Sequence, residues 1–186
     1  PATSTTSPQP LLYRPRELGN VAPITPFLAC MNHPVSPGQR RTVPMIRIVF
    51  LIASLNRGGA EKQLTLLVRG LDHSRFHCTV VTTYEGGELA LELDGIENVD
   101  LVSIHKGGRK DSIPAFWRLS RLIRQLNPDI VHGYLDSSNV LALITGKFAN
   151  ARVVWGVRSS HIASSQLDLP SRFYRRLGAR LSDRAD

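Results

Sequence analysis

From residue 46 onward, apolar residues follow two alternating rhythms. Short unbroken runs rich in β-branched side chains, bounded by turn residues, have the pattern of strands buried on both faces. Longer stretches with apolar residues three and four apart have the pattern of helices packed along one side. "IRIVFLIAS" (46–54) opens the series, and "AEKQLTLLVRGL" follows it with Leu64, Leu67, Val68 and Leu71 at helical spacing. Strand-like runs recur at 77–84, 99–104, 129–135 and 152–160. Between them fall a short helix at 87–95, a helix at 113–126 and a helix at 138–149. Pro114 suits the first turn of the second of these, and Asn127-Pro128 ends it. A last helix begins in "SRFYRRLGARLSDRAD" (171–186). Strands alternating with helices predict an α/β fold, a mostly parallel sheet with helices on both faces and right-handed crossovers.

Residues 1–44 have neither rhythm. They hold 9 of the 12 prolines, and "PATSTTSPQP" has the composition of a chain that cannot build a packed core. The expectation is a disordered Pro/Ser/Thr-rich extension at 1–44 and a single domain at 45–186. "ITPFLACMN" ahead of Cys30 is broken by prolines and lacks a compact basic start, so it makes a poor secretory signal. Met45 abuts the first strand and resembles a start, so the extension is expected to be upstream or artificial sequence rather than part of the working domain.

Lys and Arg outnumber Asp and Glu by 23 to 15, a net charge of +8 that favours anionic partners. Cys30 and Cys78 share no metal-ligand or CxxC spacing, which fits a reduced, cytoplasmic setting, with Cys78 as a small core residue. No run of about 20 apolar residues predicts a membrane-spanning helix.

In a parallel sheet, ligands bind beyond the carboxyl ends of the strands. This directs attention to 56–61, 132–139 and 158–161, at the ends of the first, fourth and fifth strands. Gly58 and Gly59 stand between the first strand and the helix after it. Glycine lets backbone approach a ligand closely, and the free N–H groups of a helix start attract an anion. The pair reads as a phosphate cradle, or more plainly as a tight turn. It lacks the spacing of a dinucleotide fingerprint and the Gly-Lys-Ser/Thr of a nucleoside triphosphatase loop. His73, His77 and His105 lie at turns and strand edges without metal-ligand pairing, so no metal site is expected. No Gly-x-Ser-x-Gly elbow supports a Ser-His-Asp hydrolase.

"IVFLIASLNRGGAEKQLTLLVRGL", "NPDIVHGYLDSSNVLALITGKFAN" and "RVVWGVRSSH", in that order, resemble the N-terminal, acceptor-side domain of family-four glycosyltransferases of the GT-B fold. The resemblance spans 45–186. It implies a retaining, hexosyltransferase-type transfer from a nucleotide-sugar donor to an acceptor such as a lipid-linked or cell-envelope glycan. The nucleotide-sugar is then a co-substrate, with no further cofactor and no tightly bound metal. It also implies that the donor-binding C-terminal domain, with its Glu-x7-Glu motif, is absent, so that this fragment alone is inactive.

Carried over by residue, the resemblance puts Gly58 and Gly59 against the donor diphosphate, with Arg57 beside it and Asn56 at the acceptor rim. Arg158-Ser159 stands where several members have His-Thr or His-Ser. An arginine stays charged, so Arg158 takes an electrostatic catalytic role, with His161 as a weaker substitute and Ser159 near the acceptor. His132 matches the first histidine of a His-x-His, read either as catalytic or as satisfied by backbone. Tyr134 replaces the second histidine, and Tyr134, Asp136 and Asn139 are placed in the following turn to read acceptor hydroxyls.

On the 113–126 helix, Phe116, Leu119, Ile123 and Leu126 share one side, while Trp117, Arg118, Arg121 and Arg124 share the other, with Arg109 and Lys110 in the approach. The basic side is either a solvated surface or a contact with the anionic inner face of a membrane. The competing function is a small polyanion or nucleic-acid binding module without catalysis. Few aromatics interleave with the basic residues and no nucleic-acid motif occurs, so no nucleic-acid partner is expected.

Overall fold

The structure, a computed structural model, describes residues 44–157 and 169–185. The extension at 1–43 and the end of the fifth predicted strand lie outside them. The described strands are β1 (Ile46–Ile52), β2 (Phe76–Thr82), β3 (Val99–Ser103), β4 (Ile130–Tyr134) and β5 (Arg152–Gly156). The helices are α1 (Gly59–Gly70), α2 (Ser112–Leu126), α3 (Asp136–Phe148) and α4 (Leu169–Leu181). The strands form one sheet in the order β3-β2-β1-β4-β5, and every pairing is parallel.

The core lies in two layers, one on each face of this sheet. On one face Val49, Leu51, Val131 and Val153 meet Leu119 and Ile123 of α2 and Leu143 of α3. On the other, Phe50, Ile52, Cys78 and Val80 meet Leu64 and Val68 of α1. Each large aliphatic side chain buried this way contributes about 1.5–3 kcal/mol relative to exposure. Adjacent β1 residues point to opposite layers, which is why its sequence from Ile48 to Ile52 is apolar at every position rather than alternating. Burial also pushes the Cys78 thiol up to about 11, as befits an inert core group.

Some expected details differ. Leu67 is exposed, and the inner side of α1 is made by Leu64, Thr65 and Val68. Thr65 can be buried because its hydroxyl donates to the Glu61 carbonyl at 2.9 Å. The helix expected at 87–95 is a 3₁₀ turn, Glu88–Glu92, held by its surroundings rather than by its own length. Leu89 and Leu93 are buried beneath it, and Glu92 accepts from Lys62 at 2.8 Å and Arg69 at 3.2 Å on α1. Pro114 does fall in the first turn of α2. At its other end Asn127 takes φ 42°, and its N–H closes the last turn on the Ile123 carbonyl at 3.1 Å.

Candidate active site at the β1–β4 switch

Strands β2 and β3 lie to one side of β1, and β4 and β5 to the other, so the chain reverses its direction of travel across the sheet between β1 and β4. Such a switch point opens a crevice beyond the carboxyl ends of the two strands. The β1–α1 turn forms one wall and the β4–α3 turn the other.

On the first wall, Gly58 is the N-cap of α1 in extended conformation (φ −155°, ψ 165°), and no side chain caps the helix. Its carbonyl accepts from the Lys62 N–H at 2.9 Å, the first bond of the helix. The N–H groups ahead of Lys62 have no intrahelical partner, which is the basis of an anion site. Asn56, Arg57, Gly58 and Gly59 are all exposed. A Cβ on Gly59 would meet nothing within 4 Å, whereas one on Gly58 would collide with the Glu61 carboxylate, which folds back over it. Arg57 forms an ion pair with Glu88. The cationic rim expected from the sequence is therefore partly neutralised, and two carboxylates stand beside the turn.

Glu88 arrives there because Gly87 takes φ 126° and lies so close to the β1–α1 turn that a Cβ would collide with the Leu55 backbone. The Leu89 N–H then donates to the Leu55 carbonyl at 3.0 Å. Sequence reasoning included Glu61 in the stretch at 56–61 without giving it a role, and missed Gly87 and Glu88 as parts of this wall. The second glycine pair at a strand end, "EGGE" (85–88), was the available signal.

On the second wall, several expected positions change. Tyr134 is the last residue of β4 and only 2% exposed, so it is not in the following turn. Its ring lies 4.6 Å from that of His132, which in turn lies 5.6 Å from Phe50. His132 is thus a half-buried member of an aromatic stack in mid-strand rather than at the strand's end. Asn139 belongs to α3 and is 3% exposed; its N–H closes the first turn on the Leu135 carbonyl at 2.9 Å, and its side-chain oxygen has no partner. Asp136 is half-buried and opens α3, where the helix dipole favours a carboxylate. Leu135 carries φ 69° and ψ 165°, a region close to glycine's own. Strain of this kind concentrates at functional turns.

The turn is also tightly built. A Cβ on Gly133 would come within 2.7 Å of the Asn139 Cα and 2.8 Å of the Ser138 carbonyl oxygen. The Leu135 N–H donates to the Gly156 carbonyl at 3.3 Å, joining the ends of β4 and β5. Arg158, Ser159 and His161, expected at the end of β5, lie outside the described residues.

One basic residue has a role the helical wheel did not show. Arg118 does not belong to a free cationic face: its guanidinium donates to the Ile104 carbonyl at 3.1 Å, the His105 carbonyl at 3.3 Å and both Asp111 carboxylate oxygens at 3.1 and 2.6 Å. It pins the loop between β3 and α2, and these bonds hold the Asp111 carboxyl below its ordinary range.

Residues 57–186 match the sequence profile of Glycosyltransferase Family 4, and the chain belongs to that family. No curated protein matches it in sequence. Among solved structures it is similar to HepE of Anabaena in complex with UDP and glucose, with a TM-score of 0.57 and 17% identity over 75% of this chain and 36% of that one. It is also similar to a candidate UDP-N-acetylglucosamine 2-epimerase of Listeria monocytogenes, with a TM-score of 0.54 and 22% identity over 76% of this chain and 37% of that one. These likenesses establish a GT-B-type, Rossmann-like fold. The chain spans little more than a third of the length of either structure.

Proposed function

We propose that this chain supplies the acceptor-side, N-terminal domain of a retaining glycosyltransferase that moves a hexose from a nucleotide-sugar to a glycan, lipid-linked or of the cell envelope. The observation that carries this reading is the uncapped, exposed Gly58-Gly59 start of α1 at the β1–β4 switch, in a chain of Glycosyltransferase Family 4. Backbone N–H groups aimed at a leaving diphosphate stabilise the charge that develops on it as the glycosidic bond breaks. Arg57 adds charge to this seat once it exchanges Glu88 for phosphate. Asn56 and Asp136 face the same crevice from opposite walls as readers of acceptor hydroxyls. Arg158 and His132 are the candidates beside the transferring sugar, with Ser159 and His161 near the acceptor. The complexes of a structurally similar protein with UDP and glucose and with UDP-glucose support a nucleoside diphosphate-sugar as donor. The reading includes a second, donor-binding domain and a cytoplasmic setting in polysaccharide biosynthesis.

The chain alone is expected to bind nucleotide-sugars weakly, because it provides one wall of a two-domain cleft. Calorimetry with uridine and guanosine diphosphate sugars tests this. Low-micromolar binding, about 8 kcal/mol, would mean that the donor is held mainly by this domain and that the two-domain reading of the cleft is wrong.

A further inference from the structure

The outer side of α2 carries a stripe that the fold does not use. Ile113 is 73% and Trp117 65% exposed, and Arg121 and Arg124 are exposed on the same side. At 100° per residue these four positions fall within a quarter of the helix circumference, and they extend for about 16 Å along it. Lys110, also exposed, precedes the stripe at the start of the helix. Helix α2 itself contains no acidic residue. The nearest carboxylate on its approach, Asp111, is turned to Arg118 and to the Gly107 N–H at 2.9 Å. The cations of the stripe are therefore uncompensated by their own helix. A favourable place near the helix C-terminus explains Arg124 alone. It does not explain why an aliphatic and an indole side chain stand in water one turn apart, in line with two arginines.

We infer that this stripe docks the domain on an anionic lipid surface. Indole and aliphatic groups enter the headgroup boundary while flanking cations meet lipid phosphates. The stripe is narrow, with one apolar end and one basic end, which suits a shallow interfacial contact better than the broad apolar centre of a protein interface. No described helix is long and apolar enough to cross a membrane. The α2 start lies at the same sheet edge as the β1–β4 crevice, because every strand runs in the same direction and α2 follows β3. Docking by Ile113 and Trp117 thus brings that edge toward the bilayer. Arg118, committed to the β3–α2 loop, takes no part. The inference rests on the stripe and stands apart from the assignment of sugar transfer.

Co-sedimentation of the full chain with vesicles of phosphatidylglycerol and phosphatidylcholine tests it, with phosphatidylcholine vesicles as control. The parent should sediment with the anionic vesicles at low salt and much less at high salt. Replacing Arg121 and Arg124 together by glutamine should weaken binding by about 30-fold. Trp117→Ser should weaken it several-fold, while Arg176→Gln with Arg180→Gln on α4 should leave it unchanged. Circular dichroism checks that each variant is folded. Equal binding by parent and α2 variants, or an equal loss in the α4 variant, overturns the assignment of the surface. Failure of the folded parent to sediment, or equal sedimentation with neutral vesicles, overturns it as well. Displacement from vesicles by an unstructured DNA oligonucleotide, with the same dependence on Arg121 and Arg124 but none on Trp117, would assign the stripe to nucleic acid instead.

Discussion

The two turns that frame the crevice use glycine for opposite reasons. At the β1–α1 turn, Gly59 has nothing within 4 Å of the place where a side chain would grow, and its φ lies outside the left-handed region. At the end of β4, Gly133 sits beneath α3 with backbone atoms at 2.7 and 2.8 Å from the same place. The fold has no need of the first glycine and an absolute steric need of the second. The same contrast holds for polar groups. The N–H groups at the head of α1 have no side-chain cap, although the Glu61 carboxylate lies over Gly58, while on the other wall Asn139 and Tyr134 are buried. A glycine the fold would not miss is the better candidate for close approach by a ligand. A glycine pressed between strand and helix reports packing.

The largest expected effect comes from attacking the packed wall. Gly133→Ala should destabilise the domain by about 3 kcal/mol, since the methyl can be admitted only by moving the α3 backbone. Denaturant unfolding followed by circular dichroism measures it. A cost below about 1 kcal/mol would show that α3 slides easily over β4, and the contrast between the two turns would collapse.

Gly59→Val makes the complementary test on the open wall. Its effect on stability should stay within about 1 kcal/mol, because the position is exposed, unstrained and at the first residue of a helix. If the domain works in sugar transfer as proposed, kcat/KM of the enzyme that contains it should nevertheless fall by about 100-fold, because a branched side chain would keep a donor phosphate from the helix N-terminus. Losses of activity and stability in proportion would make this glycine structural as well.

A smaller effect separates strain from packing within the second wall. Leu135→Gly should raise stability by about 1 kcal/mol if release of its φ 69°, ψ 165° backbone outweighs the lost side chain. A loss of similar size would mean that the half-buried leucine is held for its contacts.

The order of the elements, and the type of all but the 3₁₀ turn at Glu88–Glu92, were legible in the sequence because strand and helix periods depend on which residues neighbour one another along the chain. The apolar run at 46–52, the helical spacing of Leu64 and Val68, and the turn signals at Pro114 and Asn127 are local facts, and they imply a sheet with helices on both faces. The glycine turn was legible for the same reason, as was the resemblance to family-four transferases. What lay beyond the sequence were contacts between residues distant along it. A helical wheel places Arg118 beside Trp117, but it cannot show that the β3–α2 loop folds back to offer Arg118 two carbonyls and a carboxylate. The family resemblance put Tyr134 in a turn, although the strand read at 129–135 contains it; the ring stack with His132 and the cover of the α1-side core bury it. Glu88 reaches Arg57 only because Gly87 lets a distant loop press on the Leu55 backbone. Periodicity along the chain determined the fold, while the electrostatics of the crevice were decided by loop-to-loop approaches in space, which local sequence does not encode.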